Sequence, residues 1–87
     1  MPEEKTNLFS LSEIDTELTR TILKEVYDSL EERGYNPTNQ IVGYLISGDP
    51  GYISSYKDAR KKIQQIDRAK ILEVLLNNFQ GLDKWNI

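Results

Sequence analysis

The chain has 87 residues and a formal net charge of −3, and it contains neither cysteine nor histidine. Its length predicts one small domain. The absence of cysteine excludes disulfides and thiolate chemistry, and the absence of histidine removes the commonest general base and metal ligand. No cofactor motif is visible either, so we expect no metal and no cofactor. Oligomerisation is then the remaining common source of extra stability for a domain of this size.

The start of the chain is polar and has little periodicity. Residues 1–9 are therefore predicted to form a flexible head, followed by a single helical domain over residues 10–87. The acidic, polar start does not fit a signal peptide, and no apolar run approaches the roughly 18 residues of a membrane span. We expect a cytoplasmic protein that does not insert into a membrane.

A long first helix is predicted next. Ser10 and Glu13 fit a capping box, with Ser12 as the alternative N-cap, and the helix should run to about Arg33 before Gly34 ends it. Apolar side chains recur at helical spacing along this segment and define its buried face. They are Ile14, Leu18, Ile22, Leu23, Val26, Tyr27 and Leu30.

The run from residue 34 to residue 50 contains no Lys, Arg or Glu, and Asp49 is its only acid. Asn36 and Pro37 fit an N-cap and a first helical position, and Gly48 fits the residue that follows a helix end. The helix between them is neutral and apolar, so we expect it to be buried, either in the core or against a second copy of the chain. The side chains predicted to form this core or dimer contact are Ile41, Val42, Tyr44 and Leu45.

Two more helices are predicted after the turn at residues 48–51, where Tyr52 and Ile53 should enter the core. The third helix should start near Ser54 or Ser55 and bury Tyr56, Ala59, Ile63 and Ile66. The fourth should be capped by Asp67 and stopped by Gly81, with an apolar face of Ile71, Leu72, Leu75, Leu76 and Phe79. A short tail follows with Leu82, Trp85 and Ile87. A continuous helix through Asp67 is the alternative, and the fold class is an all-α bundle of about four short helices, expected to be a homodimer.

The charges are unevenly distributed. Residues 57–70, the basic segment, carry six basic side chains against Asp58 and Asp67, so the segment has a net charge of +4 and the rest of the chain −7. Such an asymmetry suggests a docking face for an acidic or phosphorylated partner. The alternative is that these residues are simply the solvent-exposed faces of helices.

An enzyme is not expected. No acidic pair lies beside a plausible base or nucleophile, and neither glycine-containing turn has a phosphate-loop or dinucleotide pattern. A nucleic-acid-binding helix-turn-helix protein is a competing class, because short helices are followed by a basic one. A pI near 4.9 argues against nucleic acid as a partner. A structural interaction module without a switch is the third class.

Three stretches carry a resemblance to a known family. They are Gly34-Tyr35-Asn36-Pro37, residues 39–45 and Ser47-Gly48-Asp49-Pro50. Together they closely resemble the signature of the IreB family, also known as ReoM, whose members are small cytoplasmic proteins of Gram-positive bacteria. The resemblance extends through Tyr52-Ile53, residues 57–60 and the C-terminal helix. It implies a regulatory phosphoprotein without catalytic activity that works as a homodimer.

The resemblance also implies partners. Members are substrates of membrane Ser/Thr kinases that bear PASTA domains, and they are modified on a threonine in the N-terminal head. Thr6, which is followed by Phe9, matches best, and Thr16, Thr19 and Thr21 in the first helix fit worse. Members tune peptidoglycan synthesis, apparently by controlling Clp-dependent proteolysis of the enolpyruvyl transferase at its first committed step. The Clp machinery or its substrate enzyme is therefore an expected partner.

A partner-binding face is implied on the helix after the turn, where the family tends to carry several arginines. The residues expected to form it here are Lys57, Arg60, Lys61 and Arg68. Ser55, Gln64 and Gln65 stand where the family commonly has a basic residue, and Tyr56 stands in a usual histidine position. Lysine does not reproduce the planar, bidentate geometry of arginine. These differences from the family pattern are therefore expected to affect which partner binds and how tightly it binds.

Overall fold

The computed structural model describes residues 11–83, with side chains described for residues 14–79. Its four α-helices are α1 (Leu11–Glu32), α2 (Pro37–Ser47), α3 (Ala59–Ile63) and α4 (Arg68–Asp83), and short 3-10 turns lie at Pro50–Tyr52 and Tyr56–Asp58. The predicted all-α fold with four helices is confirmed, and the homodimer stays a prediction. The predicted head (residues 1–9), Ser10, the side chain of Leu82, Trp85 and Ile87 lie outside the described residues.

One hydrophobic core joins the helices. α1 contributes Ile22, Val26 and Leu30, which repeat every four residues and are 8 % exposed or less. The other buried apolar side chains are Ile41, Tyr44, Ile53, Ala59, Ile63, Ile66, Ile71 and Val74. Ile14 and Leu18 continue the same stripe of α1 but are about half exposed, so the helix enters the core only beyond its first two turns.

The ends of α2 lie where the sequence predicts them. The side chain of Asn36 accepts a hydrogen bond of 3.1 Å from the Asn39 N–H, which satisfies one of the free donors of the first turn. Pro37 occupies the first turn, where its missing N–H costs nothing. Gly48 adopts a left-handed φ of 76° and donates its N–H to the Tyr44 carbonyl at 2.7 Å. These signals lie next to the helix in the sequence, so they define the residues at which α2 begins and ends.

The segment after α2 packs back onto it, but the prediction for Tyr52 is wrong. Ile53 is fully buried as predicted, whereas Tyr52 is about half exposed and its ring lies against the backbone of α2 at Gly43. A hydrogen bond of 2.9 Å from the Ser54 N–H to Gln40 Oε1 fastens the same segment to α2. The glycine allows this close approach because it has no Cβ.

The third helix starts later than predicted, at Ala59. Lys57 and Asp58 both have a positive φ, of 52° and 62°, which interrupts helical geometry between the 3-10 turn and α3. Tyr56 is accordingly only partly buried, while Ala59 and Ile63 enter the core as predicted. The turn at residues 64–67 separates α3 from α4, so the alternative of one continuous helix through Asp67 is also wrong.

The fourth helix differs from its prediction in two ways. It runs to Asp83, so Gly81 lies inside the helix and does not stop it. Among its described side chains, up to residue 79, Ile71 and Val74 are buried. Most of the predicted apolar face is instead exposed, namely Leu72, Leu75, Leu76 and Phe79.

Candidate functional site

The basic segment lies along the C-terminal half of α1, and ion pairs mark its position. Lys57 Nζ lies 2.9 Å from Glu32 Oε1, and Lys62 Nζ lies 3.6 Å from Glu25 Oε1. The chain from the 3-10 turn through α3 therefore runs antiparallel to α1, with residue 57 beside residue 32 and residue 62 beside residue 25. This arrangement brings the basic segment against one of the acidic parts of the chain.

The pair of Lys57 and Glu32 is the centre of a small polar cluster. The Tyr56 hydroxyl donates to Glu32 Oε2 at 3.3 Å, and Lys57 Nζ lies 5.7 Å from the centre of the Tyr56 ring. The hydrogen bond from Lys57 lowers the pKa of Glu32, and the carboxylate in turn raises the pKa of Lys57. Both groups therefore stay charged across the neutral range.

The described cations divide into two groups. Five lie within 4 Å of a carboxylate: Arg20, Lys24, Lys57, Lys62 and Lys70. The other four, within the part of the chain whose side chains are described, have no carboxylate at that distance: Arg33, Arg60, Lys61 and Arg68. Much of the lysine charge in the basic segment is thus already neutralised, and the charge left for a partner is carried mainly by arginines.

Two of the predicted partner-binding arginines are held by backbone carbonyls. Arg60 Nε donates to the Ile53 carbonyl at 2.8 Å. Arg68 Nη1 donates to the carbonyl of Leu45, in the last turn of α2, at 3.0 Å. Each guanidinium keeps further N–H donors beyond this bond. Arg60 is partly buried, so the expectation of a simply exposed cation on a helix face is wrong for it. Lys61, in contrast, is exposed.

Arg33, just beyond the end of α1, was not singled out by the sequence. Its guanidinium carbon lies 5.9 Å from the centre of the Tyr35 ring and 5.8 Å from that of Tyr56. Cation–π contacts of this length orient a guanidinium without neutralising it. No local pattern reveals the contact, because Tyr56 reaches Arg33 from a distant part of the sequence.

The four residues predicted for the core or dimer contact separate into two kinds. Ile41 and Tyr44 are in the core, each 6 % exposed, whereas Val42 is 44 % exposed and Leu45 is half-buried. Val42 and Leu45 line a shallow apolar groove of about 160 Å³. Its other lining residues are Leu23 and Tyr27 of α1, Thr38 and Ile41 of α2, and Leu75 of α4. Of the four predicted residues, Ile41 and Tyr44 are therefore buried in the core of a single chain, whereas Val42 and Leu45 remain partly or largely accessible.

The phosphorylation candidates are also distinguished by position. Thr6 lies outside the described residues. Thr19 is fully buried within α1, Thr16 is partly buried, and Thr21 is exposed on the same helix. A kinase needs to bind its acceptor in an accessible, extended segment, so Thr19 is unsuitable while the domain is folded.

Among the described residues, no group of acidic side chains is placed to hold a metal ion. None of the described helices combines the length and the apolar character needed to cross a membrane.

Four helices around one core, with charged arginines and apolar side chains left on the outside, define a small all-α domain. The model of the IreB regulatory phosphoprotein family matches residues 4–80. The match covers most of the chain, which therefore belongs to that family, and the resemblance read from the sequence is confirmed. Membership makes the chain a regulatory phosphoprotein, which implies a non-enzymatic role.

Proposed function

We propose that this regulatory phosphoprotein is a cytoplasmic homodimer and a substrate of a PASTA-domain Ser/Thr kinase, with Thr6 as the modified residue. It tunes peptidoglycan synthesis by controlling Clp-dependent proteolysis of the enolpyruvyl transferase at the first committed step. The unmodified protein favours degradation, and phosphorylation relieves it. The observation that carries the proposal is the family match over residues 4–80.

The accessibility of the threonines supports the head as the modified segment. Thr19 is fully buried, and Thr16 and Thr21 lie well inside a helix of 22 residues, so modification of any of them would require α1 to unwind locally. Thr6 lies outside the described residues, five positions before the first residue of α1. Phosphorylation there adds about −1.5 to −2 charges to the segment that precedes α1.

Chain geometry limits what a phosphate on Thr6 can touch within its own chain. Five residues separate Thr6 from Leu11, a span of at most about 18 Å. Arg20 lies nine residues along α1, about 14 Å from Leu11, and is within reach. Lys57 lies beside Glu32, about 32 Å along the helix, and is out of reach. A contact between this phosphate and Lys57 would therefore require a second copy of the chain.

Kinase labelling tests the site directly. Purified wild type, Thr6→Ala and Thr21→Ala are incubated with the kinase domain and labelled ATP, and the modified residue is located by mass spectrometry. Thr6→Ala should lose most of the incorporation, and Thr21→Ala, an exposed threonine on α1, should keep it. Labelling of Thr6→Ala at the wild-type level would refute Thr6 as the site.

The dimer is supported by the exposed apolar side chains, since Val42, Leu72, Leu76 and Phe79 remain open to solvent in one chain. Light scattering should give about twice the 10.1 kDa mass of the chain. Val42→Asp should yield a folded monomer, whereas Ile41→Asp should unfold the protein because it buries an unpaired charge. A monomeric wild type at high concentration would contradict the proposal.

The proteolytic role is tested by reconstitution. The enolpyruvyl transferase is incubated with the Clp protease and either unmodified or Thr6-phosphorylated protein, and its half-life is measured. The unmodified form should shorten the half-life, and the phosphorylated form should not. Lys61→Glu tests the expected partner-binding face, because it reverses an exposed charge without touching the carbonyl contacts of Arg60 or Arg68, and it should shorten the half-life less than the wild type does. Equal half-lives with both phospho-forms would refute the switch.

A further inference from the structure

The Arg33 cluster, defined as Arg33, Tyr35 and Tyr56, joins the end of α1 to the 3-10 turn before α3. Both rings lie within 6 Å of the guanidinium carbon, and within the described side chains no carboxylate comes within 4 Å of it. Arg33 and Tyr35 are exposed. The guanidinium thus lies near two aromatic rings, carries its full charge and presents N–H donors to solvent.

The charges around the cluster indicate which ligand charge would be complementary to it. Glu32 is occupied by Lys57 at 2.9 Å and by the Tyr56 hydroxyl at 3.3 Å, so that pair is neutral as a unit. Arg33 is then the charged member of the cluster that no described carboxylate within 4 Å balances. One carboxylate would balance this single positive charge, whereas a phosphoryl group would bring about −1.5 to −2 charges and exceed it.

The backbone supports the cluster at some conformational cost. Lys57 and Asp58 both adopt positive φ, a region that non-glycine residues occupy rarely and that concentrates at functional sites. This local geometry places Tyr56 over Arg33 while Lys57 reaches Glu32. The arrangement depends on residues far apart in sequence, so it is a property of the folded domain.

We propose that the Arg33 cluster is a docking site for an aspartate or glutamate side chain on an acidic segment of a partner protein. Arg33 binds the carboxylate through two parallel N–H donors, and the rings of Tyr35 and Tyr56 contact the apolar stem of the acidic side chain. The site uses different residues from the carbonyl-held Arg60 and Arg68, and it does not depend on phosphorylation of Thr6.

NMR titration of the full chain tests this assignment with three short capped peptides, Gly-Glu-Gly, Gly-Gln-Gly and Gly-phosphothreonine-Gly. The reporters are the backbone amides of residues 33–35 and 56–58, followed in wild type, Arg33→Gln, Arg33→Lys and the control Arg20→Gln. Arg20 is a suitable control because it is an arginine of α1, the helix that Arg33 follows, and it already lies near a carboxylate.

The glutamate peptide should shift the reporters saturably, and the glutamine peptide should not. Arg33→Gln should weaken binding by about tenfold, and Arg33→Lys by a smaller factor of about three, because lysine keeps the charge but loses the bidentate geometry. Arg20→Gln should leave binding unchanged. Equal shifts with the glutamate and glutamine peptides, or equal weakening by Arg33→Gln and Arg20→Gln, would overturn the site. Tighter binding of the phosphothreonine peptide would overturn its assignment to a carboxylate.

Discussion

Replacing Gly48 by alanine tests how α2 ends. Gly48 has a φ of +76°, and a Cβ added there would lie 2.9 Å from Arg68 Cζ and 3.0 Å from both terminal nitrogens of that side chain. The same guanidinium donates to the Leu45 carbonyl at 3.0 Å and so helps to cap the helix. Alanine therefore imposes two costs, a strained left-handed backbone and the displacement of Arg68.

The two costs can be separated by magnitude. A Cβ in the left-handed region costs roughly 1 kcal/mol. Loss of the Arg68 hydrogen bond adds about 0.5–1 kcal/mol, a modest value because the contact is exposed. We expect Gly48→Ala to lower the free energy of unfolding by about 1.5–2 kcal/mol, or the Tm by roughly 10 °C. Gly34→Ala is the matched control, since φ there is +91° but no atom lies within 4 Å of the added Cβ, and it should cost about 1 kcal/mol.

Urea denaturation followed by circular dichroism measures both variants, and Arg68→Ala completes a double-mutant cycle. In the Arg68→Ala background the cost of Gly48→Ala should fall to that of Gly34→Ala. A coupling energy below about 0.3 kcal/mol would refute the contact with Arg68, because distant sites are additive to within that margin. Unchanged stability in both glycine variants would refute the left-handed helix ends themselves.

The bounds of α2 could be predicted from sequence because the residues that fix them are adjacent to the helix. Asn36 caps the first turn from one residue away, and Gly48 takes the left-handed conformation that most residues avoid. Both signals act within a few residues and do not depend on what the helix packs against. The same reasoning explains why the end of α1 before Gly34 was also predicted.

The start of α3 could not be predicted because the helical spacing of apolar residues hides a local turn. The Tyr56 N–H donates to Ser54 Oγ at 3.1 Å, and the Asp58 N–H donates to the Ser55 carbonyl at 2.9 Å. Such local bonds from serine compete with a continuous helix. The ion pair of Lys57 with Glu32, 25 residues earlier in the chain, is exposed and adds little to the turn.

The exposed face of α4 shows a limit of periodicity. The helix is apolar on more than one side, so spacing alone does not decide whether Ile71 and Val74 or Leu72 and Leu76 face the core. The structure buries the first pair and leaves the second exposed. Gly81 in turn lowers helix stability by about 1 kcal/mol relative to alanine, which does not terminate a helix by itself.

The candidate site was only partly predictable for a related reason. Composition shows that residues 57–70 are basic, but it does not show which cations are neutralised. Lys57 and Lys62 form ion pairs with carboxylates of α1. Arg60 donates to a neutral carbonyl, and Arg33 lies over aromatic rings, so neither is neutralised by these contacts. Net charge therefore identified the region, and only the folded contacts identify the groups that remain available to a partner.

Two further outcomes are expected. Thr19→Val should raise the free energy of unfolding by about 1 kcal/mol in urea denaturation, because it removes a fully buried hydroxyl that has no hydrogen-bond partner in the described part of the chain. The control Thr21→Val, at an exposed position, should change this free energy by less than about 0.5 kcal/mol. A Thr19→Val variant less stable than the wild type would contradict the reasoning. The pair of Lys57 and Glu32 should make stability depend on pH. The pKa of Glu32 is lowered on folding, so its contribution is present above the unfolded glutamate value, near 4.3, and is lost as the pH falls through the lower folded value. The pKa of Lys57 is raised, so its contribution is lost only as the pH rises through that raised value. Thermal unfolding of wild type and Lys57→Met should therefore show a difference in Tm at neutral pH that closes in strong acid, and a difference that persists unchanged into acid would show that the ion pair is not its cause.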